Sequence, residues 1–125
     1  MGHRLQTAEI LSIGSELAMG QTRDTNAGEL ARSLTDAGGR VGRLCTLPDD
    51  LGAVTDAFRD ALGRADLVVS TGGLGPTPDD LTREGLAAAC DEHAQVDQAL
   101  EAWLRGLWKR RGLPFPEVNV KQAWL

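Results

Sequence analysis

The sequence has little positive charge, few thiols and no long apolar run. Its 125 residues carry a formal net charge of −5, so it lacks the basic face of a general nucleic-acid binder. Its cysteines, Cys45 and Cys90, have no metal-ligand spacing. No apolar stretch approaches the ~20 residues of a membrane span, and the chain opens on Met-Gly-His-Arg rather than on a secretory signal. These absences predict a reduced, cytoplasmic protein that binds neither nucleic acid nor a membrane.

Short apolar runs alternate with amphipathic segments along the first part of the chain, which has the length of one domain. Period-two or continuous apolar patterns predict strands, and spacings of three and four predict helices. The strands are expected at residues 8–13, 41–47 and 67–69, and the helices at 27–37 and 51–62. This alternation predicts an α/β fold with a parallel sheet and helices packed on its faces.

A glycine-rich stretch, Ser-Thr-Gly-Gly-Leu-Gly-Pro-Thr-Pro-Asp-Asp-Leu-Thr, runs from Ser70 to Thr82 between the third strand and the next helix. Its glycines leave room for backbone N–H groups to approach an anion, and its prolines stiffen the exit. The Gly-Lys-Ser/Thr of a Walker loop is missing, and Pro78 stands where a dinucleotide fingerprint needs glycine. The stretch therefore predicts a phosphate-binding loop of another kind.

Two carboxylates, Asp79 and Asp80, stand at the end of this loop. They would repel phosphate unless a divalent cation lay between them, which suggests a metal-bridged phosphate or pyrophosphate. The alternative is a Gly-Pro turn in which one of them only caps the helix expected at residues 81–90.

Two other segments follow predicted strands. Residues 14–26 form a long stretch without sustained periodicity, and Pro48-Asp49-Asp50 follows the second strand. Because the carboxyl ends of parallel strands meet at one edge of a sheet, the three connections are expected to share one ligand. Asn26 has an alternative role, since with Glu29 it has the spacing of a helix capping box. Asp49 or Asp50 is expected to cap the second helix.

The last third of the chain contains a third amphipathic helix, whose apolar positions run from Val96 to Trp108. Its tryptophans are expected to pack against the sheet or a partner rather than on a ligand. An apolar face of this size predicts a homo-oligomer if it has no sheet partners.

Four ordered motifs resemble those of the molybdopterin-binding (MoCF biosynthesis-type) domain family, and within it the CinA-type (competence/damage-inducible protein A) N-terminal domain. They are Ile13-Gly-Ser-Glu-Leu, Gly20-Gln with Asp24-Thr-Asn, Thr71-Gly-Gly-Leu-Gly-Pro-Thr-Pro-Asp-Asp-Leu-Thr, and Asn119-Val-Lys-Gln-Ala. The resemblance implies a three-layer α/β/α sandwich with a mainly parallel sheet. It further implies hydrolysis of the pyrophosphate in ADP-ribose, or in a related nucleotide, with Mg²⁺ or a similar cation. The alternatives are binding of molybdopterin, a phosphorylated pterin, for cofactor biosynthesis, and a truncated remnant without catalysis.

The resemblance also implies roles for individual residues. Asp80 and Asp49 would hold the cation and, with Lys121, carry catalysis. The residues expected to bind substrate or phosphate are Gly14, Ser15, Asp24, Asn26, Thr71, Gly72, Gly73, Gly75, Thr77 and Asn119. Family domains continue beyond the Lys-Gln-Ala segment with further strands and a helix, so residues 1–125 are expected to form a partial domain, without the amidohydrolase domain that CinA proteins carry.

Overall fold

A computed structural model describes residues 6–125 of the chain, and the opening Met-Gly-His-Arg lies outside this range. Three strands and five α-helices follow one another, and a 3₁₀ helix comes last. They are β1 Thr7–Ile13, α1 Ser15–Ala18, α2 Thr25–Asp36, β2 Arg40–Leu47, α3 Leu51–Arg64, β3 Leu67–Thr71, α4 Thr82–Ala89, α5 Gln98–Arg110 and the 3₁₀ helix Glu117–Ala123. In this described range, no helix has the length and apolarity needed to cross a membrane.

The strands form a parallel sheet in the order β2-β1-β3, which confirms the predicted α/β fold. The central strand β1 is buried on both faces. Its Leu11 and Ile13 pack in the core with Val54 and Phe58 of α3. The alternate residue Ile10 is fully buried on the opposite face, and α2 contacts β1 and β2. Helices therefore cover both faces of the sheet, which gives three layers, α/β/α.

The order of the strands creates a crevice at one edge of the sheet. The chain crosses from β1 to β2 in one direction and from β2 to β3 in the other. Because such crossovers are right-handed, α2 and α3 lie on opposite faces, and α4 packs against α3. The neighbouring strands β1 and β3 thus continue to opposite faces, and ligands bind at such a switch point in open α/β sheets.

Two helix starts differ from the sequence prediction. Helix α2 begins at Thr25, because the Asp24 carboxylate accepts a hydrogen bond of 3.1 Å from the Ala27 N–H. The predicted capping box of Asn26 with Glu29 is therefore wrong, and both residues lie inside the helix. Helix α4 begins at Thr82, with Leu81 as an N-cap that makes no side-chain hydrogen bond. Neither Asp79 nor Asp80 caps this helix, so that alternative is also wrong.

The structure also resolves the connections that precede α3 and follow β1. Asp50, rather than Asp49, caps α3 by accepting a hydrogen bond of 2.8 Å from the Ala53 N–H. The stretch predicted as a loop after β1 contains the single-turn helix α1. Asp49 is thereby left for another contact.

Helix α5 packs on the 3₁₀ helix. Trp108 makes an edge-to-face contact with Phe115, with ring centroids 5.2 Å apart. Trp103 of the same helix is 58% exposed, and Val96 and Leu100 are also exposed. Val96, which was predicted to open this helix, lies before it and pairs with Trp124 in an isolated β-bridge. We call the exposed Leu100 and Trp103 the apolar α5 face. Trp108 thus packs on the segment after its own helix, and the apolar α5 face is open to solvent.

Candidate active site

A small cavity of about 320 Å³ lies between the end of β3 and the first turns of α2, on the switch-point side of the sheet. Its lining consists of Asn26, Glu29, Leu30, Ser33 and Thr71. The fold thus brings together Asn26 and Thr71, which are 45 positions apart in the sequence and were both predicted to contact a ligand. A cavity that combines an apolar surface with a few polar groups is typical of a small-molecule site.

The loops that follow β1 and β2 are joined by a reciprocal pair of hydrogen bonds. The Ser15 N–H donates to the Asp49 carboxylate at 3.1 Å, and the Asp49 N–H donates to the Ser15 hydroxyl at 3.0 Å. The Gly14 N–H donates to the Leu47 carbonyl at 2.8 Å. Ser15 and Asp49 therefore fasten the two loops to each other, as the predicted convergence of the loops requires.

The glycine-rich loop contacts the end of β1 and the start of α4 at distances that no side chain would permit. Gly72 has φ +84°, and a Cβ there would lie 2.1 Å from the Ile13 carbonyl oxygen. Gly73 has φ +66°, and a Cβ there would lie 2.1 Å from the Thr82 hydroxyl oxygen. The glycines are needed for backbone packing first, whether or not an anion is bound.

The first residues of α4 hold the carbonyl groups of this loop. The Thr82 hydroxyl donates to the Gly72 carbonyl at 2.7 Å, and the Thr82 N–H donates to the Gly73 carbonyl at 3.3 Å. The Arg83 guanidinium donates to the carbonyls of Leu74 at 2.6 Å and Gly75 at 3.3 Å. Four carbonyl groups in succession are thus turned towards α4.

This arrangement fixes the direction of the neighbouring N–H groups. In a trans peptide unit the C=O and the following N–H point in opposite directions. With the carbonyls of residues 72–74 held by α4, the N–H groups of residues 73–75 point away from that helix. The N–H of Gly75, which was predicted to bind phosphate, bonds the Asp80 carboxylate. Successive N–H groups pointing to one side make an anion-binding concavity. The expected phosphate cradle is therefore geometrically available at Gly73 and Leu74.

The Asp80 carboxylate closes the loop from within. It accepts hydrogen bonds from the Thr77 N–H at 3.0 Å and the Thr77 hydroxyl at 2.7 Å. Burial raises the pKa of Asp80, but the bonds from Thr77, a backbone bond from Gly75 and the charge of Lys121 together lower it below its usual value. Asp80 is therefore ionised at neutral pH, and the donors of Thr77 that were expected to face substrate are directed to it.

Lys121 reaches the same loop from the 3₁₀ helix. Its ammonium donates to the Thr77 carbonyl at 2.8 Å and to the Asp80 carbonyl, and it forms a salt bridge of 2.9 Å with Glu84. Only 11% of its side chain is exposed. Among the described residues, the second carboxylate oxygen of Glu84 is buried without a hydrogen-bond partner. Lys121 is therefore the counterion of a largely buried carboxylate.

Two of the predicted ligand residues have hydrogen-bond partners within the protein. Asp24 caps α2, and the Asn119 side chain donates to Gln122 at 2.8 Å within the 3₁₀ helix. Three residues that were not predicted act here: Thr82 and Arg83 bond the loop directly, and Glu84 pairs with Lys121. One signal was available for Arg83, because a cation in the first turn of a helix opposes the helix dipole unless another group compensates.

The carboxylates can be compared with what a divalent cation needs. Residues 6–125 contain no group of three or more His, Cys, Asp or Glu side chains placed to hold a metal ion. Mg²⁺, however, is commonly bound by one or two carboxylates together with waters and the phosphates of a ligand. One Asp80 carboxylate oxygen already accepts two hydrogen bonds from Thr77, so such an ion would have to share this carboxylate with donors of the loop. Asp49 already accepts the Ser15 N–H through one oxygen, so its second oxygen is the one it could offer.

Comparison with known proteins gives one consistent result. The family described as "Probable molybdopterin binding domain" matches residues 9–120. A CinA-like protein of Deinococcus radiodurans is 53% identical over 118 residues, which are 94% of this chain and 29% of that protein. A CinA-like protein of Akkermansia muciniphila is 43% identical over 92% of this chain and 28% of its own length. The chain thus spans less than a third of the length of these relatives.

Solved structures agree with the sequence comparison. The crystal structure of CinA from Thermoplasma acidophilum superposes with a TM-score of 0.87 at 36% identity, over 97% of this chain and 70% of that one. MoaB from Thermus thermophilus superposes with a TM-score of 0.63 over 94% of this chain and 72% of its own, and at 21% identity it shows the fold alone. These matches confirm the resemblance read from the motifs: the chain belongs to the molybdopterin-binding (MoCF biosynthesis-type) domain family.

Proposed function

We propose that this chain binds a phosphorylated pterin of the molybdopterin class at the edge of the sheet where β1 and β3 end. One observation carries the proposal. The carbonyl groups of the glycine-rich loop are held by α4, so that the N–H groups of Gly73 and Leu74 face the opposite side, where they can bind phosphate oxygens. The description of the family supports a pterin as the rest of the ligand.

The cavity at the switch point suits the uncharged part of such a ligand. Its volume, about 320 Å³, lies at the lower end of the range of small-molecule sites. Leu30 offers an apolar surface for a flat ring, and Asn26 and Thr71 offer donors and acceptors for its edge. Phosphate at the loop and ring in the cavity would together orient the ligand.

A second candidate is the metal-dependent hydrolysis of the pyrophosphate in ADP-ribose, which would make the chain a hydrolase. It is favoured by the ionised Asp80 at the loop. Asp80, with Asp49, would hold a divalent cation, and the cation would neutralise charge on the phosphates and acidify a bound water.

The homo-oligomer and the cytoplasmic location also stay predictions.

The two candidates are separated by a binding and turnover experiment on the same sample. Calorimetry should show binding of molybdopterin and much weaker binding of the same pterin without its phosphate. Release of AMP from ADP-ribose with Mg²⁺ would favour the hydrolase instead. Binding of neither ligand would refute both proposals.

A pair of variants places the ligand in the fold. Thr71→Val removes a hydroxyl from the cavity and should weaken pterin binding about tenfold, the scale of one lost hydrogen bond. Thr35→Val is the matched control, because the Thr35 hydroxyl lies on α2 and bonds its own helix at the Ala31 carbonyl. Equal affinity in the two variants would exclude the cavity as the binding site.

A further inference from the structure

We propose that Lys121 and Arg83 are positioning residues, which hold the glycine-rich loop in its anion-binding shape through its carbonyl groups and do not contact the ligand. The inference rests on the proposed function, because it concerns the same loop. It assigns to Lys121 a role different from the catalytic one implied by the family motif. It also gives the 3₁₀ helix Glu117–Ala123 a part in ligand binding, although that helix lies outside the cavity at the switch point.

The ammonium group of Lys121 is engaged inside the protein. Of its three N–H donors, two serve the Thr77 carbonyl and the Asp80 carbonyl. The same nitrogen is ion-paired with a Glu84 carboxylate oxygen 2.9 Å away, and 11% of the side chain is exposed. Lys121 is therefore directed to the loop backbone and to Glu84 rather than to a ligand.

Glu84 ties Lys121 to α4. Its Oε1 atom lies 2.9 Å from the Lys121 Nζ atom, and its Oε2 atom is buried without a hydrogen-bond partner among the described residues. Breaking such a pair from one side leaves a buried charge uncompensated. Lys121 is therefore fixed between α4 and the loop rather than available to swing towards a ligand.

Arg83 also holds carbonyl groups of the glycine-rich loop, closer to the glycines than Lys121 does. Its two terminal nitrogens donate to the carbonyls of Leu74 and Gly75. Arg83 lies in the first turn of α4, where a positive charge opposes the helix dipole, so the carbonyl groups of the loop supply the compensation. Two cations thus hold four carbonyl groups, those of Leu74, Gly75, Thr77 and Asp80, in the part of the loop that follows the carbonyls held by Thr82. They fix the rest of the loop around the Gly73 and Leu74 N–H groups that Thr82 orients.

Contacts across 41 and 44 positions of sequence join Lys121 to the loop. The 3₁₀ helix in turn packs against α5, where Arg105 forms ion pairs with Glu101 and Glu117. The shape of the loop consequently depends on the docking of this distant segment. Any change that detaches the 3₁₀ helix should loosen the loop before it affects the sheet.

Amide hydrogen exchange of the ligand-free protein tests this role without assuming any ligand. Lys121→Met keeps the aliphatic stem and removes the donors, and it should speed exchange in peptides covering residues 72–82 about tenfold or more. Lys109→Met is the matched control, because Lys109 lies in the last turn of α5. It should leave exchange of the loop unchanged. Unchanged exchange in Lys121→Met, with ligand binding lost, would show direct contact and overturn the proposal.

A milder variant keeps the test decisive if Lys121→Met does not fold. Glu84→Gln retains an acceptor and removes the charge that fixes Lys121, so loop exchange should rise by a smaller factor than in Lys121→Met. No rise in a folded Glu84→Gln protein would also overturn the proposal. Failure of the proposed function has a different signature: the loop loosens in the Lys121 and Glu84 variants, and yet the wild type binds no molybdopterin.

Discussion

Gly72→Ala should be far more destabilising than an equivalent change at another glycine with positive φ. The substitution has two effects that the structure separates. An alanine at φ +84° has left-handed backbone strain of about 1–2 kcal/mol. Its Cβ would also stand 2.1 Å from the Ile13 carbonyl oxygen, and backbone cannot give way as a flexible side chain can. Such an overlap adds about 1–3 kcal/mol. The expected loss in free energy of unfolding is about 2–5 kcal/mol.

Gly38→Ala is the matched control for this loss. Gly38 has φ +91°, and a Cβ there would meet nothing within 4 Å, so the control measures backbone strain alone. Gly42→Ala, in open space without a positive φ, should change stability least. The difference between Gly72→Ala and Gly38→Ala then measures the close approach of β1 and the loop.

Urea unfolding followed by far-UV circular dichroism measures all three variants. With a slope of about 2 kcal/mol per molar urea, a difference of about 2 kcal/mol shifts the midpoint by about 1 M between Gly72→Ala and Gly38→Ala. Midpoints for these two variants that agree within about 0.2 M would refute the close approach on which this account of the loop depends.

Four further outcomes are expected. Asp80→Asn should keep the melting temperature within a few degrees, because an amide oxygen can still accept from Thr77. If the chain is a hydrolase, the same substitution should lower AMP release about a hundredfold or more. Unchanged turnover would exclude Asp80 as a cation ligand. Arg64 hydrogen-bonds the buried Glu9 and, against desolvation, lowers its pKa, so this pair stabilises the fold above the ordinary glutamate pKa, 4.5, and the contribution is lost as the pH falls below that value. Unfolding at pH 7 and pH 3 should therefore show a smaller loss for Glu9→Gln than for wild type, and equal losses would contradict this. Replacing Cys45 or Cys90 by Ala should leave pterin binding intact, since both thiols are free, Cys45 packs against the core, and Cys90 lies at the end of α4 opposite to the loop; loss of binding in a folded Cys90→Ala protein would revise the site. The apolar α5 face should cause self-association measurable by light scattering, and a monomer stable at all concentrations that binds no hydrophobic dye would contradict this.

Local patterns in the sequence predicted the elements well. Apolar spacing reflects burial on one face or two, so it predicts the three strands and the four longer helices with starts within two residues of those in the structure. The single-turn helix α1 and the 3₁₀ helix are too short to show such spacing and are not predicted. Helix caps were harder. In the structure Asp24 and Asp50 cap their helices. Their neighbours Asn26 and Asp49 could also accept a backbone N–H, so spacing in the sequence does not show which residue is the cap.

The sequence by itself determined the α/β class, the family and the position of the glycine-rich loop at the end of a buried strand, because these follow from periodicity and from contiguous motifs. Only the tertiary structure decided how that loop is held. The contacts of Lys121 with Thr77 and Glu84 join segments far apart in the chain, and such pairs leave no local pattern. The same holds for Gly72. A side chain is excluded there by the Ile13 carbonyl, which is distant in the sequence, and not by residues next to Gly72 in the chain. Burial and close approach are properties of the folded chain, so the roles of these residues became visible only there.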